Sequence, residues 1–149
     1  MSTDEIELEI PARADLLQLV RLTAGVVAAR AGLGLDDVED LRLAADELCR
    51  SLLGPTGDAP GRLALRYGWD DEMIEITCTL VTNGASDGEE AEAGPAGHVE
   101  GQDQGLVQAL SSQILDALVD EHGESGAEGA PRAWLRMRRD RPREESVTP

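Results

Sequence analysis

The sequence predicts an α/β chain of the α+β two-layer sandwich type, with helices on one face of a mainly antiparallel or mixed sheet. Three observations predict it. Apolar residues alternate with period two near the start, in the middle and near the end of the chain. Between these stretches they recur at helical spacing in three segments. The resulting order is strand, helix, helix, strand, strand, loop, helix, strand. The 149 residues fit one domain, expected over 1–139, with 140–149 a disordered tail. The chain has no Phe, one Tyr and two Trp, so Leu, Val, Ile and Ala must build its core.

The first strand is expected from Glu5 to Ile10, where Ile6, Leu8 and Ile10 alternate with Glu5, Glu7 and Glu9, and Pro11 closes it. A helix follows from about Asp15 to Ala31, with Asp15 as its cap and Gly32 and Gly34 beyond its end. Leu16, Leu19, Val20, Val27 and Ala31 form one stripe, while Leu17, Leu22 and Val26 lie on the other side. Two readings of the second stripe stand: the helix is sandwiched within its own domain, or a partner or second copy covers it. A second helix runs from about Asp37 to Leu53, with a capping-box-like start at Asp36 and Glu39. Its stripe is Val38, Leu41, Ala45, Leu48 and Leu52, and Gly54-Pro55 stops it.

After a turn-rich loop, Leu63, Leu65, Tyr67 and Trp69 alternate, Asp70-Asp71-Glu72 turns, and Met73 to Val81 returns, which describes a β-hairpin. Residues 83–104 are rich in Gly, Ala, Glu and Asp and poor in large apolar residues, the composition of a flexible, lid-like loop. Helical spacing resumes from about Gln104 to Glu121, with Leu106, Leu110, Ile114, Ala117 and Leu118 on one side. A Gly-rich linker over 123–131 leads to a last strand, Arg132 to Arg138.

Thirteen basic against thirty acidic residues give a net charge of −17. Such a surface repels phosphate backbones and anionic lipid, so nucleic acid and membrane are poor partners and a basic protein is a good one. No window approaches the ~20 apolar residues of a membrane span, and the N-terminus lacks signal-peptide character. Cys49 and Cys78 make no disulfide framework and read as small buried hydrophobes. A reduced cytoplasm is the expected compartment. His98, in the loop, and His122, at a helix end, stand away from any zinc-spaced ligand, so no metal site is expected. Asp46 and Glu47 share the second helix, and Glu47 lies beside its apolar stripe. A carboxylate there serves as a general base or as a solvated helix residue.

The segment IELEIPARADLLQLVRLTAGVVAARAGLGLDDVEDLRLAADELCRSLL resembles the N-terminal half of the bacterial anti-sigma-factor/serine-protein-kinase family, small members of the histidine-kinase-like ATPase superfamily. QILDALVDEH resembles the family's post-lid helix, and APRAWLRMRR its closing strand. The resemblance implies the histidine-kinase-like ATPase fold. It also implies ATP-dependent phosphorylation of an anti-sigma antagonist on a serine, together with sequestration of a sigma factor. It makes Glu47 the residue that orients the attacking hydroxyl, and puts Ser51 where the family has a magnesium-binding Asn. The family's Asp-x-Gly-x-Gly turn has no match. Asn83-Gly84 and Asp87-Gly88 fall nearby. The glycine pair that opens the post-lid helix falls on about Ser111, with Gly101 and Gly105 upstream. Any ATP and magnesium contacts would thus fall to Glu47, Ser51, Asn83, Gly84, Gly105 and Ser111.

The expectation is therefore an anti-sigma-like regulator in bacterial transcription control that binds a protein, with ATP binding lost or impaired. The alternative is an active serine kinase with Glu47 as base. The partner would be a sigma factor or an anti-sigma antagonist, and a homodimer would also cover the second stripe. The resemblance places the partner surface on the first helix, at Leu17, Leu22, Val26 and Arg30.

Overall fold

A computed structural model describes residues 3–82, 101–126 and 130–140, without side-chain detail at 101–105, 107 and 108. The elements are β1 (Asp4–Arg13), α1 (Leu17–Arg30), α2 (Leu35–Leu53), β2 (Asp58–Trp69), β3 (Met73–Val81), α3 (Gly101–Leu118), β4 (Glu121–Ser125) and β5 (Arg132–Arg138). The five strands pair in the order β1-β2-β3-β5-β4, every pair antiparallel. The α+β two-layer class is as expected from the sequence.

The sheet's alternation decides what faces the helices. Ile10, Leu63, Leu65, Tyr67, Ile74, Ile76, Cys78, Leu135 and Met137 point inward and are buried. Outward, charged residues pair across strands: Arg62 donates to Glu9 at 2.7 Å, Arg66 to Glu7 at 3.2 Å and Arg136 to Glu75 at 2.6 Å. These exposed pairs fix register more than they stabilise, since each is worth ~0–1 kcal/mol. The β2–β3 turn is closed by Asp70, whose Oδ1 accepts from the amides of Glu72 and Met73 at 2.8 and 2.9 Å. Those two donors hold the Asp70 carboxyl below its ordinary range, followed in effect by Arg139.

Several boundaries differ from the sequence expectation. β1 runs through Pro11 to Arg13, because the register shifts between Pro11 and Arg13 and the proline sits at that irregularity. Asp15 does not cap α1. It pairs with Arg13 at 2.6 Å, and a 3-10 turn over Ala14–Leu16 leads into the helix. α2 starts at Leu35 without a side-chain cap, so the Asp36/Glu39 box does not form. β2 begins at Asp58, inside the expected loop, where Gly61 takes φ +105 against the β3 backbone. His122 is not at a helix end, and the expected linker is partly a strand: both belong to β4, which lies along β5. Residues 101–104 of the expected loop are the first turn of α3. The remainder of that loop and residues 141–149 of the tail lie outside the described residues.

The helices pack side by side with α2 in the centre. α1 buries Leu17, Val20, Ala24, Val27 and Ala28, and α2 buries Leu41, Ala44, Ala45, Leu48, Cys49 and Leu53. Small residues bring these helices close: a Cβ on Gly25 would already touch Arg42 Cδ at 3.4 Å. Tyr67 reaches up from the sheet, and its hydroxyl donates to the Val20 carbonyl at 3.1 Å. The face of α3 is rotated from the expected one. Ser111, Leu115 and Val119 are buried, whereas Leu106, Leu110 and Ile114 are exposed.

Candidate functional site

α2 carries Asp46 and Glu47 on adjacent positions that a helix turns toward different neighbours. Asp46 faces α1. It accepts from Arg21 of α1 and, one turn along α2, from Arg50 at 2.6 Å. Asp46 is thus a staple between the first two helices. The Arg50 guanidinium is held more firmly protonated by the same contact. Nothing in the local spacing announced the Arg21 pair, which joins residues 25 apart.

Glu47 faces the other way, toward α3, and is half-buried. Its Oε1 accepts a hydrogen bond of 2.5 Å from the hydroxyl of Ser111. The two lie 64 residues apart, and α2 and α3 pack along one another around this contact. One turn on from Glu47, Ser51 turns its hydroxyl back to the Leu48 carbonyl at 2.7 Å. Of the expected site, the structure therefore brings Ser111 to Glu47, while Ser51 bonds within its own helix. Gly105 lies within α3, where a helical amide bonds back to the preceding turn. Asn83 and Gly84 lie outside the described residues. Among the described residues no group of three or more His, Cys, Asp or Glu is placed to hold a metal ion.

Beneath α2, Cys49 meets Cys78 of β3 with the sulfurs 3.6 Å apart, both wholly buried. The contact with Cys78 and then burial push the Cys49 thiol well up. A shallow hollow of about 500 Å³, lined in part by Ala64, Arg66, Thr77, Thr79 and Arg132, opens on the outer face of the sheet. It is on the opposite side from Glu47.

The expected partner surface divides in two. Leu17 is 0% exposed and packs in the core, so it has no surface to offer. Its place on the stripe with Val20, Ala24 and Val27 turns it inward. Leu22 is 52% and Val26 53% exposed, Leu19 is exposed beside them, and Arg30 ends the same outer face. No described helix is long and apolar enough to cross a membrane.

No family model matches the chain. Curated relatives that the chain resembles carry the name serine-protein kinase RsbW. That of Bacillus velezensis is 30% identical over 125 residues, covering 80% of this chain and 77% of the relative. That of Bacillus subtilis is 28% identical over 125 residues with the same coverage. That of Bacillus cereus is 33% identical over 84 residues, 56% of this chain and 51% of the relative.

Proposed function

The chain belongs to the serine-protein kinase RsbW family, and on that premise we propose that it is an anti-sigma-type regulator that acts by binding a protein and no longer uses ATP. One observation supports the reading: among the described residues of the expected site, the side chains of Glu47, Ser51 and Ser111 are engaged within the protein itself. Glu47 takes the Ser111 hydroxyl, and Ser51 spends its own on the Leu48 carbonyl. Ser51 also offers a shorter and weaker magnesium ligand than the family's Asn.

The binding surface of this reading is the outer face of α1. Leu19, Leu22 and Val26 expose apolar area at i, i+3 and i+7, with Arg30 at the end. An apolar strip with a charged end suits a protein partner. A sigma factor or an anti-sigma antagonist in the cytoplasm is the partner class that the family resemblance supplies. The −17 charge favours a partner with a basic surface. Retention of Glu47 favours a second reading, an active serine kinase.

The test is a pull-down and titration with sigma factors and anti-sigma antagonists from the native cell. The single variants Leu22→Asp and Val26→Asp are expected to weaken binding at least tenfold with an unchanged melting temperature, because both side chains are exposed. Undiminished binding in both would remove α1 from the interface. Saturable heat with Mg-ATP, lost in Glu47→Ala, would replace this reading with the kinase.

A further inference from the structure

Ser111 is the buried polar residue among the described side chains, only 2% exposed. Burying a hydroxyl is costly unless it finds a partner, and here the partner is a carboxylate oxygen at 2.5 Å. The position of this bond along α3 matters. Toward the C-terminus, Leu115 and Val119 anchor the helix in the core. Toward the N-terminus, the described side chains Leu106, Ala109 and Leu110 are exposed. Among the described side chains of α3, Ser111 is the first inward tie to the core.

We propose that Ser111 is an internal partner of Glu47, a positioning residue whose hydroxyl occupies the carboxylate and whose bond fixes α3 against α2. This rests on the proposed loss of phosphotransfer and extends it. The carboxylate is retained, but as a positioning group for the protein's own helix. Glu47 supplies the acceptor and Ser111 the donor of a direct tie between α2 and α3. A glycine or alanine at 111 would leave a half-buried carboxylate without that donor and loosen α3 from α2 around it.

The experiment uses the full chain and its Ser111→Ala, Glu47→Ala, Glu47→Gln and Ser111→Ala/Glu47→Ala variants. Hydrogen exchange is read over 106–118, and water-soluble carbodiimide labelling of Glu47 is read by mass spectrometry. Ser111→Ala is expected to speed exchange of this segment about tenfold, the scale of one hydrogen bond to a charged acceptor. It is also expected to raise Glu47 labelling several-fold. The double variant should exchange no faster than either alanine variant alone, because both remove the same bond. Glu47→Gln, whose amide oxygen still accepts, should keep most of the protection, which a merely space-filling role would not predict. Additive effects in the double variant, or unchanged exchange and labelling in Ser111→Ala, would overturn the proposal. Mg-ATP calorimetry on the unaltered chain is run in parallel. Heat there would sink the proposed function, while the exchange and labelling results would still decide the clamp.

Discussion

Two buried acids of the core, the Cys49 thiol and the Tyr67 phenol, are both pushed above their ordinary values. For Cys49 the cause is first the Cys78 contact and then burial; for Tyr67 it is burial followed by the two neighbouring thiols. Folding thus favours their protonated forms. The unfolded chain loses these protons first, so the stability they contribute is complete below the ordinary thiol value of ~8.5 and is lost as pH rises beyond it. Thermal melts should be level from pH 6 to 8 and fall steadily above about 9, with Cys49→Ala softening the first part of that fall. A melting temperature unchanged up to pH 10.5 would contradict this. That both cysteines are small buried hydrophobes was legible from the lack of a disulfide framework or zinc-spaced ligands around them. Their contact was not, because 29 residues separate them and no pattern links a helix position to a strand position across a core. The same holds for Glu47 and Ser111. A serine interrupts the apolar repeat of α3, so periodicity passes over the very residue that sets the helix's rotation.

Elements were legible where their own side chains dictate the period. β3 matches its expected span, and α2 ends where Gly54 was expected to stop it. β4 is the contrary case. Its residues, Glu-His-Gly-Glu-Ser, have no alternation, and they form a strand because β5 lies beside them and Trp134 lies across Gly123. A Cβ at Gly123 would stand 2.7 Å from the Trp134 ring, so this strand depends on its neighbour's indole having that space. The start of β2 also depends on a glycine. Gly61 holds φ +105, and a Cβ there would lie 2.1 Å from the Val81 carbonyl oxygen. Gly61→Ala should cost about 1–3 kcal/mol in chemical denaturation, the scale of a forced backbone conformation. A change under ~0.5 kcal/mol, the usual size for surface positions, would mean that β2 and β3 part there freely.

For the whole molecule, two layers followed from the order of periods, and the acidic surface followed from composition. The positions of the helices relative to one another did not, since they rest on ties such as Arg21–Asp46 and Ser111–Glu47 that cross between elements. The charge of −17 sets an expectation for association. The on-rate with a basic partner should fall steeply between 50 and 300 mM salt, as screening shortens to within ~10 Å, while the off-rate changes little. A salt-independent on-rate would mean that the apolar strip of α1 acts alone. The strand order has a further consequence. A sheet that does not close on itself leaves a row of unsatisfied amides and carbonyls on each outermost strand, a template for stacking chain upon chain. Among the described strands one margin is β1, which carries the charged side chains Glu5, Glu7 and Glu9, three carboxylates that share two arginines, and whose Pro11 has no amide to offer. The other is β4, five residues long, too short to seed much pairing. The acidic alternation that first marks β1 as a strand also guards the fold against growing into fibrils.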